Sequence, residues 1–271
     1  MPWEKDGRRS APSIIMVDPK DRFVFTPLLV DYGISQEVEV DEFAPTYEKL
    51  LKRFEAERKT LTAPLEHLKA TVVSIDWQRR FAVVRDEGGE ERRLEFDALV
   101  VSPGQLASPP QGFEVSGSGD NVMPFATLAD AEALRARLKE GTPSSVAVVG
   151  AGYVGAEVAA AMAELEGCKV TLFGGQLLRG SEPPNQKRTT EFLEELGVDF
   201  KEGYVTAVDE QGLSWAPKGA GEQQRFACDL VLTTGNAAAP SAGFDLVPQL
   251  DGDGRRLKVD EYMRAAPGIF C

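Results

Sequence analysis

Three glycines, Gly150, Gly152 and Gly155, carry the clearest chemical signal in the sequence. They sit in Gly150-Ala151-Gly152-Tyr153-Val154-Gly155, after the apolar run Val146 to Val149 and before an alanine-rich helix former. A second apolar run, Lys169 to Phe173, follows that helix. A buried parallel strand, a tight glycine turn, a helix and a second parallel strand form the unit that holds a dinucleotide pyrophosphate. Gly150 allows the sharp turn, Gly152 lets the backbone approach the phosphates, and Gly155 lets the helix lie close on the strands. Ala159, four residues further on, keeps that packing face small. The unpaired N–H groups and positive end of the helix then face the anion. The competing reading is a structural strand–turn–helix with no ligand.

Two acid positions bear on the same chemistry. Ser13-Ile14-Ile15-Met16-Val17-Asp18 reads as a buried strand ending in a carboxylate. In a dinucleotide fold such an acid accepts hydrogen bonds from the adenosine ribose. Asp18-Pro19 equally favours a turn, so Asp18 is either a ribose ligand or a cap and turn residue. No glycine-rich turn precedes it in residues 1–12. In the central unit the corresponding acid belongs about 20–25 residues past the first glycine. The sequence there is Phe173-Gly174-Gly175-Gln176, with no carboxylate to repel a 2′-phosphate. Arg179 or Arg188 could pair with that phosphate through a planar fork.

Other chemistries are disfavoured. His67 is the single histidine, which argues against a histidine metal site or a catalytic triad. Cys168, Cys228 and Cys271 are far apart and form no CxxC, which points to a reducing compartment and away from a local dithiol pair. The net charge of −13 opposes a nucleic-acid surface. The longest apolar stretches are strand-sized, well below the roughly 20 residues of a membrane span. Residues 1–12 are polar and turn-rich, with neither a secretory core nor a clean transit pattern.

The elements that must position these groups follow from periodicity. At 271 residues the chain has room for two modest domains. Val40 to Arg53 has helical spacing, with Phe43, Tyr47, Leu50 and Leu51 on one side. Val72 to Ile75, Phe81 to Val84 and Arg92 to Phe96 read as antiparallel strands, with Gly88-Gly89 as a turn. Residues 105–124 read as a linker, and Thr127 with Asp130 as a capping box opening a helix. Pro184 to Leu196 reads as an amphipathic helix, and Val198 to Lys201, Val205 to Val208 and Gln224 to Cys228 as strands. Phe96-Asp97-Ala98-Leu99-Val100-Val101 is echoed by Cys228-Asp229-Leu230-Val231-Leu232-Thr233, which reads as equivalent strands of two similar domains.

Together with the run Arg22-Phe23-Val24-Phe25-Thr26-Pro27-Leu28-Leu29 and with Pro267-Gly268-Ile269-Phe270, these residues resemble the two-dinucleotide-domain flavoproteins. Within them the chain resembles the type II NAD(P)H:quinone oxidoreductases, nearest to the chloroplast and cyanobacterial C1 class that reduces plastoquinone and demethylnaphthoquinone. The resemblance implies an α/β fold of two Rossmann-like domains, the first incomplete at its N-terminus. Residues 1–118 would be a partial FAD-binding domain, 119–260 an NAD(P)H-binding domain, and 261–271 the start of the return segment. It implies FAD and NAD(P)H as cofactors, electron transport to a quinone, and no metal. Asp18 would hold the FAD ribose, the backbone near Val72 the adenine, and Gly104 would lie against FAD. Gly150, Gly152 and Gly155 would carry the NAD(P)H pyrophosphate, and Gly235 and Asn236 would border the nicotinamide. Glu157 would take the catalytic place beside the nicotinamide, or else be a solvated first-turn acid. Phe25 and Pro27 would lie on the quinone side of the flavin, or else be ordinary core.

The family also implies a chloroplast location, peripheral membrane association through a C-terminal segment, and a homodimer. Its first strand and FAD glycine turn would precede residue 1, and its Gly-Asp flavin contact would follow Cys271. A partial chain with weakened FAD binding is therefore expected. The alternative is a non-catalytic NAD(P)H-binding module kept intact over 127–245; a sulfide:quinone or disulfide reductase would need paired thiols. The lack of an acid after Phe173 predicts that NADPH is accepted alongside NADH. A comparison of kcat/KM for the two nucleotides measures this, and a strong NADH preference contradicts it.

Overall fold

The computed structural model describes residues 4–5, 8–9, 13–57, 65–104, 106–108, 114–115, 121–219, 222–234, 236–238 and 257–271. The chain divides into two compact units. One comprises Met1–Val24, Asp41–Leu106 and Ala238–Cys271, the other Phe25–Val40 and Ala107–Ala237. The expected boundary at 118/119 puts residues 25–40 in the first domain, whereas they group with the second unit.

In the first unit, β1 (Ile14–Val17) pairs in parallel with β2 (Leu65–Leu68), and α1 (Tyr47–Glu57) lies in the connection. A three-stranded antiparallel sheet follows: β3 (Ala70–Asp76), β4 (Phe81–Asp86) and β5 (Glu91–Glu95). The short strand β6 (Leu99–Val100) pairs in parallel with Ile269–Phe270. Ile269 is buried among Ile75, Trp77, Phe96, Leu99, Val101 and Leu257. The single helix expected over Val40 to Arg53 is instead a turn at Val40–Phe43 and then α1. Pro45 explains the break, because a proline inside a helix removes one N–H and clashes with the preceding turn.

The second unit is built on a parallel sheet. Its strands are β7 (Val122–Pro124), β8 (Ser145–Val149), β9 (Lys169–Gly174), β10 (Asp199–Asp209), the antiparallel pair β11 (Gly212–Pro217) and β12 (Gln224–Ala227), and β13 (Leu230–Thr233). Their spatial order is β7-β13-β8-β9-β10-β11-β12, and Glu114–Val115 also pairs with β10. The stretch read as a linker therefore contributes strands, β7 among them. β10 is one strand where two were expected, with a bulge between Val205 and Ala207 absorbing the irregularity. Helices α2 (Leu128–Glu140), α3 (Tyr153–Ala163) and α4 (Pro183–Glu195) connect the strands.

Burial explains why β8 sits centrally. Val146, Ala147 and Val148 are wholly buried, as expected of a strand covered on both faces. Each such valine contributes about 1.5–3 kcal/mol, whereas an exposed ion pair such as Lys52–Glu48 is screened by solvent and adds little. The apolar core therefore decides this arrangement. Below it, Phe173 stands edge-on to Trp215 and Phe226, with ring centroids 5.3 and 5.1 Å away.

α2 begins with a reciprocal cap. The Thr127 hydroxyl accepts from the Asp130 N–H at 3.2 Å, and the Asp130 carboxylate accepts from the Thr127 N–H at 2.8 Å. Thr127→Ala is expected to destabilise the second unit by about 1 kcal/mol, measured by urea unfolding.

Candidate functional site

β8 and β13 are neighbours in space but far apart in sequence, and the strands that follow β8 lie on its other side. Their carboxyl ends form the switch point at which open parallel sheets bind ligands. The glycine turn sits at this point. Gly150 has φ +117°, and a Cβ there would meet the Thr234 hydroxyl oxygen at 2.5 Å. A Cβ on Gly155 would stand 1.6 Å from the Gly150 carbonyl oxygen. Thr234 ties the two strands together: its N–H donates to Val149 O at 2.9 Å, and its hydroxyl lies 3.0 and 3.2 Å from Val149 O and Gly150 O. Sequence reasoning singled out the residues after Thr234 and missed Thr234 itself, although the polar pair ending an apolar strand was visible.

Gly152 differs from its neighbours. It is the cap of α3, and nothing lies within 4 Å of where its Cβ would stand. No side chain caps the helix and its first turn holds no acid. Tyr153 and Val154 are exposed on that turn, while Gly155, Ala156, Val158 and Ala159 are buried. Open space, uncapped N–H groups and exposed apolar side chains at a switch point suit a diphosphate with a flat ring beside it.

The missing acid after β9 has a steric reason. A Cβ on Gly174 would stand 2.4 Å from the Ala151 Cβ, and one on Gly175 would press on the Tyr204 ring at 3.2 Å. The first side chain free to project is that of Gln176, which is exposed. Arg179 and Arg188 are exposed too.

The Phe25–Val40 segment packs within the same unit. It makes a 3₁₀ turn at Thr26–Leu28 and a π-helical turn at Asp31–Ser35, whose Tyr32, Gly33 and Ile34 are buried. Such π turns concentrate at functional sites. Arg135 of α2 holds it: its guanidinium donates to Tyr32 O at 3.1 Å and Val38 O at 3.2 Å, and covers the Tyr32 ring at 4.5 Å. Glu157 of α3 is exposed, yet its carboxyl is raised above the ordinary range, first by partial desolvation and then by repulsion from Asp31. Neither Arg135 nor Asp31 was singled out from the sequence, because only packing brings them to these partners. Phe25 is 48% exposed and Pro27 is exposed as well, so neither is core.

In the first unit Asp18 lies at the end of β1. Its Oδ1 accepts from the Lys20 N–H at 2.9 Å and its Oδ2 from the Tyr47 hydroxyl at 2.9 Å. The Lys20 contact is the turn interaction expected of Asp-Pro, so turn formation and an outward carboxylate coexist. Val72 lies half-buried in β3 at a bulge, and Gly104 is exposed with φ +75°. A part-exposed carboxylate at the end of a parallel strand is a group that can accept from a ribose diol. Gly235 lies outside the described residues, and Asn236 begins the strand Asn236–Ala238. Among the described residues, no cluster of histidine, cysteine and acids is arranged to hold a metal.

Comparisons with known proteins agree with this geometry. The model of the family described as pyridine nucleotide-disulphide oxidoreductase matches residues 5–271. The demethylphylloquinone reductase NdbB of Synechocystis is 28% identical over 99% of this chain and 65% of its own length. The alternative NAD(P)H-ubiquinone oxidoreductase C1 of Arabidopsis thaliana, chloroplastic/mitochondrial, is 32% identical over 56% of this chain and 30% of its own. The structure of NDH2 from Plasmodium falciparum in complex with NADH superposes with a TM-score of 0.78 at 18% identity, covering 95% of this chain and 58% of that one. The chain thus spans less than two thirds of each of these relatives.

Two substitutions separate folding from binding. Gly155→Ala is expected to lower the melting temperature, because its methyl has no room beside Gly150. Gly152→Ala is expected to leave melting unchanged and raise the Kd for NADH about tenfold, or about 1.4 kcal/mol, because its methyl would enter the open space at the uncapped start of α3. Thermal melting and nucleotide titration of both variants check this.

Proposed function

Because the chain belongs to the pyridine nucleotide-disulphide oxidoreductase family, we propose that it is part of a flavoprotein that passes electrons from NAD(P)H through FAD to a quinone. The observation that carries this reading is the glycine turn at the β8/β13 switch point, opening an uncapped helix. Gly150, Gly152 and Gly155 accommodate the NAD(P)H pyrophosphate, and Gly235 and Asn236 border its nicotinamide. Glu157, whose carboxyl is raised above the ordinary range by partial desolvation and then by Asp31, is the acid assigned to the nicotinamide side. Asp18 takes the FAD ribose, Val72 the adenine side, and Gly104 the flavin side. When bound, the nicotinamide supplies a hydride and the flavin hands its electrons on to an acceptor.

A quinone as acceptor is supported by the names of the two curated relatives, and a chloroplast-type location by the Arabidopsis one. Exposed Phe25 and Pro27 offer an apolar contact for such a ring. Peripheral membrane association is part of this proposal; among the described residues no helix is long and apolar enough to cross a membrane. Homodimer formation belongs to the same proposal. Thiol chemistry is disfavoured: burial pushes the Cys168 and Cys228 thiols up to about 11, leaving little thiolate to react.

One observation favours a second reading, a non-catalytic NAD(P)H-binding module. The second unit carries the glycine turn, whereas residues 13–104 contain no Gly-x-Gly-x-x-Gly. Purified protein separates the two. The flavoprotein reading expects an absorbance band near about 450 nm that NADPH bleaches anaerobically. A colourless protein that binds NAD(P)H supports the module, and loss of nucleotide binding altogether overturns both.

A further inference from the structure

We propose that Tyr47 and His67 are positioning residues of an adenosine-ribose subsite whose contact group is Asp18. The inference rests on the flavoprotein reading above and assigns roles to two residues that this reading leaves without one. Three elements converge on Asp18: the end of β1, the first residue of α1 and the middle of β2. The Tyr47 hydroxyl donates to Asp18 Oδ2 at 2.9 Å, and the Lys20 N–H to Oδ1 at 2.9 Å. His67 Nε2 lies 3.0 Å from the Asp18 carbonyl oxygen. A carbonyl only accepts, so His67 carries its proton on Nε2. The Tyr47 and His67 rings pack at 4.6 Å between centroids. The backbone is tied on both sides, with Asp18 N–H donating to Leu68 O at 3.3 Å and Tyr47 N–H to Asp21 O at 2.9 Å.

This arrangement holds the carboxylate without using it up. Each carboxylate oxygen has two acceptor directions, and the chain occupies one on each. One acceptor direction on each oxygen is left, on a group that keeps 22% of its side-chain surface. Two acceptor oxygens on one carboxylate match the two hydroxyl donors of a ribose diol. Lys20 is a poor competitor for them: its ammonium is 3.8 Å away on a side chain 71% exposed. The Tyr47 hydroxyl stays protonated throughout the working range, since burial and Asp18 push it up to about 12. It therefore acts as a fixed donor.

The single histidine supplies a site-specific reporter, because any imidazole NMR signal from the full chain comes from His67. Titration with FAD is expected to move the His67 ring resonances, and titration with NADPH to leave them in place. Tyr47→Phe keeps the ring against His67 and removes only the hydroxyl. It is expected to weaken FAD about tenfold, as loss of a hydrogen bond to a charged group does, without changing the Kd for NADPH. If FAD binds but His67 does not respond, or Tyr47→Phe binds FAD normally, the inference is overturned while the flavoprotein reading stands. If NADPH binds and FAD does not, both fall. Should Tyr47→Phe lose its melting transition, the His67 response of the unaltered protein decides.

Discussion

The crossing of α3 over the end of β8 is the constraint on which the second unit depends. Gly155 approaches the Gly150 carbonyl so closely that no side chain fits between them, and Thr234 closes the same contact from β13. The glycine turn and a residue 84 positions beyond Gly150 thus meet within a few ångströms. That contact sets the direction in which α3 leaves the sheet, and so where its free N–H groups point. The opening at Gly152 follows from the closure at Gly150 and Gly155. A ligand can enter only where the chain has not already packed against itself.

Charge is distributed in keeping with this. The chain carries a net −13, yet the first turn of α3 contains no acid. The residue that would bear one after β9 is a glycine, held so by the Ala151 side chain. The nearest acid on the helix, Glu157, comes two residues after Gly155, and partial desolvation first and Asp31 second disfavour its ionised form. In a strongly acidic protein, an anion therefore meets little fixed negative charge at the turn.

The two units differ in how their strands are paired and covered. In the second, β13 pairs with β7 on one side and β8 on the other, and β8 continues to β9 and β10. In the first, β6 pairs with Ile269–Phe270, which also pairs with Arg264–Ala266, and β1 pairs with β2 in a separate sheet among the described residues. Val100 is 68% exposed and Ile15 43% exposed, unlike the wholly buried valines of β8. The same apolar strand pattern yields a closed core in one unit and exposed side chains in the other, because burial depends on neighbours on both faces.

The sequence alone determined the local units. The spacing of Gly150, Gly152 and Gly155 between two apolar runs, the echo of Asp97–Val101 in Asp229–Thr233, and the Thr127/Asp130 cap could all be read directly. Each rests on interactions between residues close in the chain, or on a periodicity that local geometry imposes. Tertiary structure decided the rest. It placed Phe25–Val40 with the second unit, made a strand of Val122–Pro124, set Thr234 against Gly150, and brought Tyr47 and His67 to Asp18. Those contacts join residues as far as 109 positions apart, as in the Val122–Val231 pairing. Nothing in the spacing of side chains along a strand or helix specifies which distant partner fills the space beside it; only packing does.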